Sequence, residues 1–313
     1  MGVLSVRIGA RSSRLSQAQT AIVSDLINKR FGEGVSLEFI PVKTLGDRVP
    51  PAAKKDLGPA GAKRAFTGDI EALLLEGKID IAIHSMKDLT SDQNEGLVIG
   101  ATPPRSDPRD ALITSNGGTI KTLPKGAKVG TSSLRRKAQL LKMRRDLEVV
   151  ELHGNVDTRL RKVLEGGARE LDAIVLAVAG LERIGEGKRV SQIFSIDEMV
   201  PAIGQGTIAV QMRRGDKDIA KVLRQIDDEA TGVESRCERA FAHRLGADCN
   251  VPVGGCARLS GPSIRMVGML AKEDGSEFRR KEVAGPGSEA VALGTRLAEE
   301  LLQGGRTLGG TAS

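Results

Sequence analysis

Val6-Arg-Ile-Gly-Ala-Arg-Ser-Ser-Arg-Leu15 and Lys128-Val-Gly-Thr-Ser-Ser-Leu-Arg-Arg-Lys137 share one pattern. In each, a short apolar run ends in Gly, Ser and Arg, and a segment with helical periodicity follows. Strand, hydroxyl-rich turn and helix start are therefore expected in that order. Free backbone N–H groups at a helix N-terminus carry partial positive charge, so such a turn suits an anion. Two copies predict two similar α/β lobes serving one ligand rich in carboxylates or phosphates.

The rest of the chain extends this alternation. Ser5–Gly9, Val35–Val42 and Ile79–His84 read as strands, Ser16–Arg30 as a helix, and Gly68–Glu76 as a helix capped by Thr67. Arg48–Lys63 has no periodicity and reads as a mobile loop. The proline-rich stretch 101–108 should run extended. A second α/β series follows: Ala127–Gly130, a helix after Ser132, Glu148–Leu152, a helix from Val156, and Ala173–Val178. Residues 199–206 form a second crossing. A third section holds a helix over Thr231–Leu245, a strand over Ile264–Lys272, a helix over Ser288–Leu302 and a frayed tail. The expected architecture is α/β: two lobes joined by a double-crossing hinge, plus a smaller α+β C-terminal domain. The expected domains are 1–103 with 204–228, then 104–203, then 229–313.

Composition narrows the partner. The 313 residues carry 47 Lys and Arg against 40 Asp and Glu, a net charge of +7, so the partner should be acidic. Aromatics are only 2%, with no Trp or Tyr, which leaves no platforms for base stacking and argues against single-stranded nucleic acid. No run is long enough to span a membrane, and the three cysteines fit a reducing cytoplasm. A soluble cytoplasmic monomer is the default expectation.

Several residues could carry chemistry. His84-Ser-Met-Lys-Asp88 follows an apolar strand, at the end where open α/β sheets bind ligands. Asp88 is either a carboxylate set among basic groups to favour a transient cation, or half of a strand-end ion pair with Lys87. Arg135, Arg136, Arg159, Arg161 and Arg183 fall at strand-to-helix junctions, where guanidinium forks suit planar carboxylates. Asn155 is a candidate N-cap for the helix that carries Arg159. Cys237 shares a helical stripe with Val233, Phe241 and Leu245 and reads as core. Cys256 reads as a small buried residue. Cys249 is the cysteine expected to be exposed. The spacing of Cys237, His243, Cys249 and Cys256 matches no common zinc pattern, so no metal is expected.

Taken in order, Arg11 with Ser13, Thr44–Asp47, His84–Asp88, Asp107–Asp110, Gly130–Arg136, Gly154–Arg159, Ala177–Gly185, Pro201–Gly206 and Cys249 with Pro252 and Gly254 resemble the porphobilinogen deaminase family across nearly the whole chain. The resemblance implies two lobes like those of periplasmic binding proteins. It implies a dipyrromethane cofactor joined to Cys249 by a thioether, four porphobilinogen units added in turn with loss of ammonia, and hydrolytic release of hydroxymethylbilane for haem and other tetrapyrroles. Asp88 would stabilise positive charge on pyrrole nitrogens. Arg11, Ser13, Gln19, Ser85, Lys87, Thr131, Ser132, Ser133, Arg135, Arg136, His153, Asn155, Arg159 and Arg183 would hold cofactor and substrate, and Lys63 would lie in a lid. No nucleic acid, membrane or metal is implied.

The chain departs from the family pattern at Arg64-Ala65, Thr90, His153 and Ala247-Asp248. The alternatives are a two-lobed binder of acidic small molecules and a basic protein associated with nucleic acid. Arginine is usual where His153 stands, and an imidazole is the weaker cation at neutral pH. We expect His153→Arg to leave the rate of porphobilinogen consumption equal or higher at alkaline pH. A sharp loss would show that the imidazole has a role of its own.

Overall fold

The computed structural model describes residues 3–49, 58–92, 94–164, 171–246 and 251–303. In chain order its strands and helices are β1 (Leu4–Arg11), α1 (Arg14–Phe31), β2 (Val35–Val42), α2 (Leu45–Arg48), α3 (Gly58–Leu75), β3 (Ile81–Ser85), β4 (Leu97–Ala101) and β5 (Asp110–Thr114). There follow β6 (Lys128–Gly130), α4 (Leu134–Met143), β7 (Glu148–Val150), α5 (Val156–Leu164), β8 (Ala173–Ala177), α6 (Val178–Arg183) and β9 (Gln192–Ile193). The last are β10 (Ile208–Arg213), α7 (Lys217–Arg224), α8 (Glu229–Leu245), β11 (Val253–Ser260), β12 (Ser263–Leu270), β13 (Arg279–Pro286) and α9 (Ala290–Gln303).

Contacts divide the chain into two units. The first gathers residues 1–107, 177–189 and 205–232; the second gathers 108–176, 190–204 and 233–313. In the first, the sheet order is β2-β1-β3-β10-β4. β1 runs parallel to β2 and β3, while β10 is antiparallel to β3 and β4. Val6, Ile8, Ile81, Ile83 and Val210 pack on one face with Val23 and Ile27 of α1 and Leu223 of α7. Ala82 and Val42 meet Ile70 and Leu74 of α3 on the other. Burial on both faces explains why β3 reads as a nearly continuous apolar run rather than an alternating one. Each such Val, Leu or Ile side chain contributes about 1.5–3 kcal/mol by leaving water.

The second unit repeats the arrangement as β7-β6-β8-β5-β9, with β6 parallel to β7 and β8. In both sheets the strand that follows a crossing segment, β5 after residues 101–108 and β10 after 199–206, sits fourth in the order. Two doubly wound lobes with a returning strand are thus the architecture of the first two sheets. The third sheet, β11-β12-β13, is wholly antiparallel, and Cys237 and Phe241 of α8 and Leu297 of α9 fill its core with Met266.

Two linked sequence expectations change. The helix expected at Gly68 already begins at Gly58, so Thr67 is a buried mid-helix residue and not a cap, and Lys63, expected in a loop, lies on that helix. Pro59 explains the earlier start, because a proline in the first helical turn removes an N–H that has no partner there. Ala60, Ala62 and Ala65 then favour the helix, despite the absence of an apolar stripe that would announce it. The remainder of the expected loop, residues 50–57, lies outside the described residues, as does the expected frayed tail.

Gly294 marks a close helix contact. A Cβ there would stand 2.1 Å from the Cys237 carbonyl oxygen of α8. Backbone cannot yield as a flexible side chain does, so α9 would have to shift. We expect Gly294→Ala to destabilise the protein by about 1–3 kcal/mol, read as a lower melting temperature. An unchanged melting curve would contradict the contact.

Candidate functional site

In the first unit, parallel pairing of β1 and β3 sets two strand ends side by side. β1 delivers Arg11, and Ser13 then caps α1, its Oγ accepting the Ser16 N–H at 3.3 Å. β3 delivers Ser85, and a short 3₁₀ turn, Met86–Asp88, places Asp88. Arg11, Ser13, Gln19, Ser85 and Asp88 line one pocket of about 50 Å³ with Phe66 and His84. Gln19 of α1 donates to Ser85 Oγ at 2.9 Å, tying the helix start to the strand end.

Arg11 is held from two sides. Its guanidinium is ion-paired with Asp47, Nε reaching Oδ2 at 3.3 Å, and lies 4.3 Å from the centre of the Phe66 ring. Burial pushes the Asp47 carboxyl upward in pKa, but hydrogen bonds from Arg11 and Thr44 outweigh it and hold the group below its ordinary range. Gly46 makes room for the ring, since a Cβ there would lie 2.4 Å from Phe66 carbons.

Three further expected residues lie in this unit but do not line the pocket. Lys63 Nζ reaches the Leu89 carbonyl at 3.4 Å, and Lys87 Nζ approaches Gln205 Oε1 at 3.3 Å. Arg183 donates to Ser106 Oγ at 3.1 Å and to the Gly206 carbonyl at 2.6 Å. Burial lowers its pKa to about 10, so it stays charged at neutral pH, and its Nε has no hydrogen-bond partner.

The second unit carries the other turn. β6 ends at Gly130, Thr131 Oγ1 accepts the Ser133 N–H at 3.1 Å, and Ser133 caps α4. Ser132 Oγ donates to the Leu152 carbonyl at 2.7 Å and lies 3.4 Å from His153 Nδ1, while His153 Nε2 is 3.2 Å from Glu151. Asn155 immediately precedes α5, and Arg159 Nε donates to the Gly154 carbonyl at 2.8 Å. Gly154 has φ +115°, a conformation that glycine adopts without a steric penalty.

Arg135 and Arg136 sit deeper than sequence suggests. Both are about 95% buried, and both ion-pair with Asp110, whose side chain is fully buried: Arg135 Nη1 at 2.7 Å on one oxygen, Arg136 Nη2 at 2.7 Å on the other. Further donors go to the Val200 and Val175 carbonyls. Arg135 Nε is left without a partner. Cys249 lies outside the described residues.

Sequence reasoning gave no role to Asp47, Phe66, His84 or Asp110. Asp110 had a legible signal, a carboxylate opening a strand that is otherwise apolar. The others are set by a helix start and a strand pairing that no local pattern encodes. The dipyrromethane group named by the resemblance is compatible with the donors present: hydroxyls, helix N-termini and buried guanidinium N–H groups without partners all suit its carboxylates.

Comparison with known proteins bears on the same residues. A model of the dipyrromethane cofactor-binding domain of porphobilinogen deaminase matches residues 6–221, and one of the C-terminal domain matches 233–303. The chain belongs to the porphobilinogen deaminase family. It is 42% identical over 307 residues to the porphobilinogen deaminase of Syntrophotalea carbinolica, covering 97% of this chain and 95% of that one. Against the relative from Pelotomaculum thermopropionicum the identity is 43%, covering 95% and 93%. Among solved structures, the methionine-binding protein MetQ aligns with a TM-score of 0.43 and 14% identity over 71% of this chain and 88% of its own. Membership makes the chain a transferase of tetrapyrrole biosynthesis with a domain for the dipyrromethane cofactor. Among the described residues no helix is long and apolar enough to cross a membrane.

His84 generates a pH prediction. Burial lowers its pKa from 6.5 to about 4, opposed by the Gln211 side chain. Between those values the unfolded chain binds the proton and the folded protein does not, so stability falls as pH drops from 6.5 toward 4. Asp47 and Asp80, both held below an ordinary 3.8, act only at more acidic pH. We expect the melting temperature to fall more steeply between about pH 7 and about pH 4.5 in the parent than in His84→Phe. Parallel slopes would contradict the buried neutral imidazole.

Proposed function

We propose that this chain joins four porphobilinogen units, one at a time, to a dipyrromethane primer carried by Cys249, and then frees linear hydroxymethylbilane as water cleaves its bond to the primer. The observation that carries this reading is Asp88, a carboxylate lining the same pocket as Arg11 and Ser13. A simple anion binder gains nothing from a negative group there. An enzyme that must pass through a cationic pyrrole does.

The dipyrromethane group, when bound, supplies the pyrrole carbon that is extended. In each cycle the aminomethyl C–N bond of porphobilinogen breaks and ammonia leaves. A C–C bond then forms to the growing chain, and that carbon loses its proton. Asp88 would stabilise the positive charge on pyrrole nitrogen that precedes and follows coupling. Arg11, stacked on Phe66, would hold a substrate carboxylate by its outer N–H groups, with Ser13 and the start of α1 adding backbone donors. Thr131, Ser132, Ser133 and the start of α4 would do the same in the second unit, with Arg135, Arg136, His153, Asn155 and Arg159 around them. Lys63, Lys87 and Arg183 complete the basic surroundings. Such pairing fixes the reacting carbons as well as binding them. In this reading the three-domain division holds, the protein works in the cytoplasm as a monomer, and no metal takes part.

Intact mass tests the anchor. We expect protein from cells that make porphobilinogen to be heavier by one dipyrromethane, and Cys249→Ala to lack the increment. Equal, unmodified masses, persisting after incubation with preformed hydroxymethylbilane, would leave a binding protein in place of the enzyme.

A further inference from the structure

The first-unit pocket includes a buried group that the reading above leaves unused. His84 is only 5% exposed, lines the pocket, and has an Nε2 without a hydrogen-bond partner within normal distance. Gln211, fully buried, has its Oε1 in the same condition. The two are diagonal neighbours on one face of the sheet, because Ala209 pairs with His84 and Gln211 with Ala82. The Gln211 amide is oriented by its other end: Nε2 donates to Glu71 Oε1 of α3 at 2.9 Å. That leaves the Gln211 oxygen as an acceptor in need of a donor. His84 Nε2–H is the complementary donor on the same face of the sheet, and the Gln211 side chain is the influence that opposes the fall in the imidazole pKa.

We propose that the two unpartnered atoms close on each other in the working protein, so that Glu71, Gln211 and His84 form a buried hydrogen-bonded line that fixes His84 as the neutral Nε2–H tautomer and offers Nδ1 to the pocket as an uncharged acceptor for a pyrrole N–H. The proposal rests on the functional reading that this pocket holds a pyrrole. A hydrogen bond made by one imidazole nitrogen sets the role of the other. The charge state matters as much as the geometry. The charged groups around His84 are Asp88 on the turn after β3, Arg11 at the end of β1, and Glu71 behind Gln211 on β10. From α1 the pocket receives Leu15, Ser16 and Gln19, none of them charged, and from α3 Phe66 and Thr67. A protonated imidazole would add a cation where a cationic pyrrole must be stabilised. Burial prevents that, and the Glu71–Gln211 line keeps the acceptor aimed. His84 is the ligand-facing residue, and Glu71 and Gln211 are positioning residues.

Three histidines in the chain make nitrogen-15 NMR of the holoenzyme practical, with the His84 signals assigned by their loss in His84→Gln. We expect a single neutral Nε2–H tautomer at pH 7, with the Nδ1 resonance moving when porphobilinogen is added. A protonated ring, the opposite tautomer, or an Nδ1 unmoved while porphobilinogen is consumed would overturn the proposal. Gln211→Leu leaves the pocket lining intact. We expect it to give mixed His84 tautomers and to raise KM on the order of ten-fold, the worth of one hydrogen bond, at little change in kcat. Unchanged tautomer and KM would overturn the line. A parent that consumes no porphobilinogen would refute the functional reading, and the ligand contact with it. The ligand-free spectrum would still decide the tautomer.

Discussion

Asp110 is the carboxylate on which the second lobe depends. Arg135 and Arg136 occupy the first turn of α4, where the helix dipole already disfavours cations, and both are buried. Desolvation pulls the Arg135 pKa down, and Asp110 opposes it. One carboxylate shared by two guanidiniums leaves a buried net charge of about +1 in this cluster, a lasting attraction for an anion at the same helix start. Removing the shared partner of such a cluster typically costs about 3–5 kcal/mol, because two buried cations would be left uncompensated. The ion cluster also fastens β5, α4, β8 and the Val200 segment to one another through side-chain and carbonyl contacts.

The first lobe solves the same problem differently. Arg11 meets Asp47 near the surface, each side chain 22% exposed, and rests on Phe66. Water screens that pair, so exchanging the Asp47 carboxylate for a ligand carboxylate costs far less than breaking the Asp110 cluster. One turn is built around a fixed internal anion and the other around a replaceable one. The same strand-turn-helix design thus carries a buried ion cluster in one unit and a partly exposed ion pair in the other.

Much of this was legible in the chain. The repeated turns at Arg11–Leu15 and Thr131–Lys137 are local, because a capping serine and an apolar strand fall within ten residues of each other. Ile79–His84 was readable as a strand because two-sided burial demands continuous apolar residues. The start of α3 was not, since Pro59 and a run of alanines resemble a loop in composition while behaving as a helix. Nor were the partners of Arg135 and Arg136 visible: Asp110 lies 25 and 26 residues away, and strand order alone brings it under them. The surroundings of His84 were not visible either, because its neighbour Gln211 is a residue 127 positions later on the antiparallel strand that pairs with its own.

Stepwise growth of a chain anchored on this protein leaves a covalent record. Intact mass reads it directly, after porphobilinogen is added in small molar excess and the reaction is quenched within seconds. A ladder of covalent species is expected, each heavier than the last by one pyrrole unit. Porphobilinogen consumed with no covalent increment, or left unconsumed by protein that carries the dipyrromethane mass, would contradict it.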